Sequence, residues 1–524
     1  MTKPTKKSDN GPSLADQVID LVVKACELVH TKQKEPYAII DAAGVRQVLS
    51  IKSASFSEWV ASRYYAEKKA SLSDASLQTA LNILSGKAVF EGRTVEVHTR
   101  IAKTEAGYWL DLCNDQWQAV RVDASGWQVV SGPMTPLFRR SSSMQPIPTP
   151  AKGGSLNELW RLINIPQEDR WLIVTWLLEC LRPETPHVVL ELVGEQGSAK
   201  STTQKILKML IDPNIANLRA APKKVEDVWI SACNSHLLSF ENISFLGQEY
   251  QDALCVMATG GAHATRTHYS NLDETIIESR KPIVINGIVV NVTAQDLLDR
   301  SLSIELPPVE RRLQSQEVTA GFEVHYPHLV GSLLDEFVKA LSMLGSITIG
   351  DEDKPRMLDF AYLGEAVFRA NGLPAGAFIA QYKALRQKGI ERTIEASPIG
   401  LALLSYLQDC PDGWSGQLTH LLRLLDGYKP AGGSNWPRSA KALGDALRRL
   451  SPALRTLGFQ CKSRPKQHGS IVWEIQPTPI KSSIQSPPST PSPEIEGLTN
   501  VGSGHGGLSG HENYNRAGLI DPVS

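Results

Sequence analysis

Apolar positions recur every three or four residues in "LADQVIDLVVKACELV" and onward, which predicts a helical N-terminal region over 14–88 behind a polar, disordered 1–13. The period then changes. "TVEVHTRIA", "YWLDLC", "QWQAVRVD" and "WQVVS" are short β-branched and aromatic runs divided by "TEAG", "ND" and "ASG", so 89–137 reads as a small antiparallel β meander. Residues 138–155 form a linker by composition. Over 156–320, apolar strands such as "HVVLELVG", "HLLSFEN" and "PIVINGI" alternate with helical patterns, the signature of a parallel sheet flanked by helices. A helical region follows over 321–408, then a small domain over 409–476. The tail 477–524 has too few apolar groups to bury and reads as disordered.

Composition narrows the class. Of the 524 residues, 42 % are hydrophobic and 21 % charged, as in an ordinary globular chain. The net charge of −1 puts any nucleic-acid binding in a local patch. Seven scattered cysteines without a CxxC pair argue against zinc or a disulfide framework. "WLIVTWLLECL" (Trp171–Leu181) is too short to span a bilayer and reads as a buried helix. With no apolar segment behind the N-terminus, the expectation is a cytoplasmic protein without membrane association. Trp109, Trp117 and Trp127 in the meander suit core packing better than a base-stacking platform.

The chemistry starts at Gly194-Glu195-Gln196-Gly197-Ser198-Ala199-Lys200-Ser201-Thr202, between the strand "HVVLELV" and the helical run "STTQKILKML". A loop at that junction turns backbone N–H groups toward a phosphate, and the helix N-terminus adds its positive end. Lys200 would reach the outer phosphates and Ser201 would ligate Mg²⁺, giving ATP and Mg²⁺ as expected ligands. The bland reading is an ordinary strand–helix turn. Some forty residues on, "HLLSFENIS" ends a strand in Glu241-Asn242, where an acid can hold the metal and orient water. Gly-rich "ATGGAHATRTHYSNLDE" then carries Arg266 and His268 near a hairpin. Asn286 ends "KPIVINGI" and could orient water, and Arg300 follows in "DLLDRSLSIELPP" as a candidate arginine finger.

Loop, acid, Gly-rich segment, Asn and Arg in that order resemble the ATPase domain of superfamily 3 helicases, and most closely phage- and mobile-element ATP-binding proteins akin to poxvirus-type primase-helicases. The likeness covers about 155–310. It implies an α/β, P-loop AAA+-like ATPase in a hexameric ring, with ATP between subunits and the hairpin lining a DNA channel. Arg266 and His268 become candidate DNA contacts, with Lys281 a weaker one. Two departures stand out: Ala199 replaces a glycine of the loop, and Asn242 stands where a second acid often follows the first. Both point to a working site with slow turnover.

The 409–476 domain is basic. From Asn435 to Ile475, Arg438, Lys441, Arg448, Arg449, Arg455, Lys462, Arg464 and Lys466 face only Asp445 and Glu474, eight bases against two acids. "WPRSAKALGDALRRL" predicts one helix, Ser451-Pro452 opens a second that ends at Gly458, and "FQCKSR" and "SIVWEI" form a two-stranded wing. The order looks like a winged helix, with Arg455, Lys462, Arg464 and Lys466 as phosphate contacts. The bland alternative is a solvated face on a packing module.

The leading expectation is an ATP-dependent DNA helicase or translocase for replication of a phage, plasmid or integrated element. It would act on single- or double-stranded DNA with other replication proteins. A second is an ATP-switched DNA-binding assembly protein that hydrolyses little. A small-molecule P-loop kinase is disfavoured by the basic domain, Asn286 and Arg300. Residues 1–150 lack paired acids on one strand, so no primer synthesis is expected.

Overall fold

Helix α1 (Leu14–Ala25) begins at a capping box in which the Ser13 hydroxyl accepts from the Asp16 N–H and the Asp16 carboxylate accepts from the Ser13 N–H, at 3.2 and 3.1 Å. Its period carries Val18, Leu21 and Val22 into a local core. At Cys26 the chain turns extended. Strands β1 (Cys26–His30), β2 (Pro36–Ala42) and β3 (Val45–Ser50) follow, then α2 (Ala54–Lys68), α3 (Asp74–Phe90) and β4 (Arg93–Thr94), with sheet order β3-β2-β1-β4. The all-helical expectation for 14–88 is thereby corrected. "PYAIIDA" and "VRQVLS" carry β-branched residues, and they pair in register from Tyr37–Ser50 to Ala42–Val45. Ladder partners several residues away override a local pattern that also fits a helix.

The computed structural model describes residues 12–42, 44–266, 274–288, 292–309, 312–395, 397–430, 436–467 and 470–477. These described residues form one compact unit. Behind the first sheet, β5 (Val97–His98) runs to the meander β6 (Ile101–Thr104), β7 (Gly107–Asp111), β8 (Ala119–Asp123) and β9 (Gly126–Val130), antiparallel in that order, and β10 (Leu137–Phe138) returns to pair with β5. The meander read from the sequence agrees with this arrangement.

The central α/β layer opens with α4 (Asn157–Leu162) and α5 (Arg170–Glu179), the latter buried as its apolar run predicts. Then come β11 (Val189–Val193), α6 (Lys200–Ile211), β12 (Arg219–Ala220), α7 (Val225–Asn234), β13 (Leu238–Glu241) and α8 (Gln248–Thr259). A hairpin, β14 (Gly261–Arg266) and β15 (Glu274–Ser279), precedes β16 (Ile283–Gly287), α9 (Gln295–Leu298) and β17 (Ser301–Glu305). The five strands pair in parallel in the order β12-β13-β16-β11-β17. Alternation divides their side chains: Leu190, Leu192, Leu302 and Ile304 join one core, and Val189, Phe240, Ile283 and Ile285 the other.

Helices α10 (Ser315–Leu344), α11 (Leu358–Ala370) and α12 (Ala377–Glu395) cover the first of these faces, and the meander joins the same core. The Tyr108 ring lies 5.0 Å from Phe337, and Trp127 Nε1 donates to Asp335 at 2.7 Å. Trp109 is buried and Trp117 lies under the Arg140 guanidinium. All three tryptophans serve the fold. The 138–155 stretch is tied down as well, with Ile147 buried and the Ala151 N–H donating to Pro327 O at 2.9 Å. No helix among the described residues is long and apolar enough to cross a membrane.

The C-terminal part comprises α13 (Pro398–Asp409), β18 (Trp414–Gly416), α14 (Leu418–Asp426), α15 (Ala440–Thr456), β19 (Phe459–Gln467) and β20 (Ser470–Pro477), with sheet order β18-β20-β19. Its core also includes α13, so the boundary drawn at 408/409 moves to before Pro398. The second helix expected at Ser451 is not separate. Helix α15 runs through it, because Leu443, Leu447, Leu450 and Leu454 keep one buried stripe, and Ser451 Oγ instead donates to Cys461 O at 3.0 Å.

One buried ion cluster joins the meander to the α/β layer. Asp212, just past α6, meets Arg100 at 3.0 Å and Lys208 at 2.7 Å and accepts from the His236 and Leu237 N–H groups. Burial works to raise its pKa, but Lys208 and Arg100 carry it well below the usual carboxylate range. Asp212→Ala strands two buried cations and should cost about 3–5 kcal/mol, read by urea unfolding. Because the folded pKa is depressed, the wild-type contribution is complete above about pH 4 and is lost as pH falls further; an acid-unfolding curve shared by both proteins would contradict this.

Candidate functional site

The C-terminal edge of the parallel sheet gathers the predicted nucleotide residues. Loop 194–199 leaves β11 and enters α6. At Gly194 a Cβ would sit 2.7 Å from Leu306 O, so glycine lets the loop lie against the strand end, and Gly197 has φ +91°. No side chain caps α6, whose cap residue is Ala199, so no side chain at the cap satisfies the helix's first-turn N–H groups. Lys200 is 9 % exposed, and its ammonium donates to the Gly194 and Glu195 carbonyls, both at 2.7 Å. Burial lowers its pKa from the ordinary lysine value.

Ala199 adopts φ +58°, ψ 27°, the left-handed region. The phosphate-loop pattern expects glycine there because the turn into the helix needs positive φ. An alanine side chain costs about 1 kcal/mol in that conformation. The methyl therefore strains the backbone of the loop while its path is kept.

Strand register sets the acid. Phe240 pairs with Ile285 and Ile285 with Glu191, while Ala220 pairs with Glu241 and Asn286 with Leu192. Glu241 is thus level with Asn286 and Leu192, at the loop's edge of the sheet, with β16 between it and β11. It is partly exposed and has no ion pair or side-chain hydrogen bond among the described residues. Ser201 and Thr202, also partly exposed, follow Lys200 in the first turn of α6. Among the described residues no group of three His, Cys, Asp or Glu could hold a metal by itself. A hydroxyl, one carboxylate and phosphate oxygens are the donor set that suits Mg²⁺, so the residues fit.

Asn286 is tied into the fold by its side chain. It is fully buried, its amide NH₂ donates to Gln204 Oε1 at 2.6 Å, and its oxygen accepts from the Asn242 N–H at 2.9 Å. Gln204 in turn donates to Ser239 Oγ and Phe240 O at 2.8 and 3.1 Å. Asn286 is therefore a strut between α6, β13 and β16. Asn242 is exposed at φ +54°, a conformation asparagine tolerates well. Gln204 escaped the sequence reading, although Lys200, Gln204 and Lys208 repeat at i, i+4 and i+8 as a polar stripe. Asn164 escaped it too: its amide clamps Ser198 O and Pro307 O at 3.0 and 2.6 Å.

Arg300, the candidate arginine finger, is also held within its own chain. It precedes β17 at the opposite sheet edge, where its carbonyl accepts from the Val189 N–H at 2.9 Å. That is five residues, about 16 Å, from the loop of its own chain. Its side chain is 15 % exposed, ion-paired with Asp296 and donating to Cys255 Sγ at 2.9 Å. A free finger is not what it presents, because its own chain holds the guanidinium.

Of the DNA candidates, Arg266 ends β14 opposite Glu274, while His268 lies outside the described residues. Burial brings Lys281 down to about 8, unlike a solvated phosphate contact. Arg455 and Lys462 are exposed; Arg464 is exposed but paired with Glu474 at 2.9 Å; Lys466 falls in β19. Relief of the strained cap makes a direct prediction: Ala199→Gly should raise stability by up to about 1 kcal/mol, seen as a higher urea midpoint with unchanged slope.

Comparison with known proteins adds the biological setting. Residues 156–387 match the family described as actinomycete integrative conjugative element replication protein, and 399–490 match its RepA C-terminal domain. No curated protein matches the chain. Among solved structures, SCCmec type IV Cch, described as an active helicase, is 11 % identical with a TM-score of 0.43, over 87 % of this chain and 93 % of that one. The NrS-1 C-terminal region in an apo form is 13 % identical with a TM-score of 0.38, over 89 % and 100 %. Likeness at that level leaves the site to be argued from this chain's own residues. Over its α/β layer and its C-terminal part, the chain is similar to the replication proteins of integrative conjugative mobile elements.

Proposed function

We propose that the chain is an ATP-dependent DNA helicase or translocase of superfamily 3 type, serving replication of an integrated mobile element. The observation that carries the reading is the strand order: the loop on β11 and the acid on β13 share one edge with a single strand between them. At that separation a carboxylate reaches a loop-held triphosphate through metal and water instead of pairing with the loop lysine. Ligands of open parallel sheets sit at such C-terminal edges.

In this reading the N–H groups of Glu195 to Thr202 hold the phosphates and Lys200 swings from its loop carbonyls to the outer ones. Ser201 and Glu241 hold Mg²⁺, which when bound neutralises charge on the phosphoryl oxygens. Glu241 also orients the attacking water and takes its proton. The P-loop AAA+-like ATPase would work as a hexameric ring, with the β14–β15 hairpin, Arg266 and His268 toward DNA. The order α13-β18-α14-α15-β19-β20 supports a winged helix whose Arg455, Lys462, Arg464 and Lys466 meet phosphates.

A second reading, an ATP-switched assembly protein with little hydrolysis, is favoured by Asn242 in place of a second acid and by the strained Ala199. Strand displacement separates the two: unwinding supports the motor, and DNA-dependent assembly without unwinding supports the switch.

The deciding measurement is the ATPase rate with and without single-stranded DNA, alongside mass with ATP. Stimulation and a six-fold mass are expected, and a monomer indifferent to DNA would refute the motor. Lys200→Ala should reduce turnover about 100-fold or more and abolish ATP binding. Neutralising Arg455 and Lys462 should weaken DNA binding and lower the salt-dependence slope by about 1 per charge. An unchanged slope would leave the C-terminal part a packing module.

A further inference from the structure

If Lys200 alone met a triphosphate, most of its charge would go unanswered, and Arg300 is held at the far edge of the sheet. Another cation already lies on the loop. The segment after β17 is pinned there: the Leu306 N–H donates to Val193 O at 2.7 Å, and Asn164 ties Pro307 O to Ser198 O. Beyond it, the Arg312 guanidinium rests against Gly197. Its terminal nitrogen is 2.6 Å from where a Cβ at Gly197 would stand, and its central carbon 3.5 Å. Only a glycine admits that approach. Arg312 is exposed and, among the described residues, has no ion-pair partner. A guanidinium parked on a phosphate-type loop, with no carboxylate partner among the described residues, is placed for an anion.

We propose that Arg312 is a catalytic residue acting in cis, contacting the terminal phosphoryl oxygens of a nucleoside triphosphate held by the loop of its own subunit. The inference rests on the nucleotide reading of that loop. During hydrolysis the water oxygen forms the new bond to the γ-phosphorus and the bond to the β–γ bridging oxygen breaks. The bridging oxygen leaves on the diphosphate, and the water's proton passes to Glu241 and then to solvent. Arg312 answers the charge spread over the γ-phosphoryl and bridging oxygens as this happens. Its short tether from β17, itself hydrogen-bonded to β11, keeps the guanidinium with its own subunit's loop.

The test uses the full chain, with circular dichroism and thermal melts confirming that each variant folds. Arg312→Ala should lower kcat about 100-fold, weaken ATP binding more than ADP binding, and leave the melt unchanged. Arg312→Lys, which keeps the charge but not the planar fork, should recover part of the affinity for ATP and little of kcat. Mixing supplies the readout that a merely structural role would not move. Arg312→Ala and Lys200→Ala subunits combined should stay inactive, because every site lacks one of the two groups. Recovery of activity in that mixture would assign Arg312 to a neighbour's site and overturn the cis assignment. Normal hydrolysis by Arg312→Ala would overturn the role altogether. If Lys200→Ala binds ATP like wild type, the loop reading itself fails and Arg312 falls with it.

Discussion

Helix α6 is held on the sheet by a polar stripe instead of an apolar one, and the candidate site depends on that. Lys200, Gln204 and Lys208 repeat at i, i+4 and i+8, and all three are buried. The first turns back to the loop carbonyls, the second bonds β13 and Asn286 on β16, and the third closes the ion cluster on Asp212. A buried polar side chain without partners costs several times what a paired one contributes, so each contact specifies one position of the helix. The 194–199 loop leads directly into the N-terminal end of that helix. Its distance from Glu241 is therefore set by Gln204 and Asn286, two residues that touch no substrate in this reading.

The same constraint reaches outward. Asp212 ties the end of α6 to Arg100 in the meander, which makes the meander part of the α/β layer's core. In the other direction, α12 belongs to two cores. Phe378 and Tyr382 pack with the α/β layer, while Ile390 and Ile394 pack with the C-terminal part. Arg386 and Arg392 on the same helix pair with Asp299 and Glu305 at the two ends of β17. A change at the sheet edge thus has a stiff path to α15 and the β19–β20 hairpin. In the proposed reading, α12 is the element that would couple nucleotide state to DNA grip.

Strain and charge at the loop pull in opposite directions. Ala199 holds a backbone conformation that glycine would take freely, while Gly197 opens the space in which Arg312 rests. One position of the loop carries alanine where the pattern has glycine, and at another a guanidinium rests against a glycine. Asn242, at positive φ beside the acid, keeps its N–H on Asn286 and its side chain toward solvent.

By itself the sequence determined the parts whose causes are local: the strand–loop–helix around Lys200, the acid ending β13, the meander, the apolar stripe of α15 and the basic excess near the C-terminus. Those signals need only neighbours within one or two turns, or one strand's length. It misjudged the strands of 26–50 and the supposed break at Ser451, and it did not show what Asn286 and Arg300 bond to. Only the tertiary structure decided these, because partners far along the chain settle them. Tyr37 meets Ser50, Asn286 meets Gln204, Arg300 meets Cys255, and Arg312 reaches Gly197. Whether a polar side chain is free to act or spent on the fold is a matter of desolvation and pairing, and those exist only once distant segments have met.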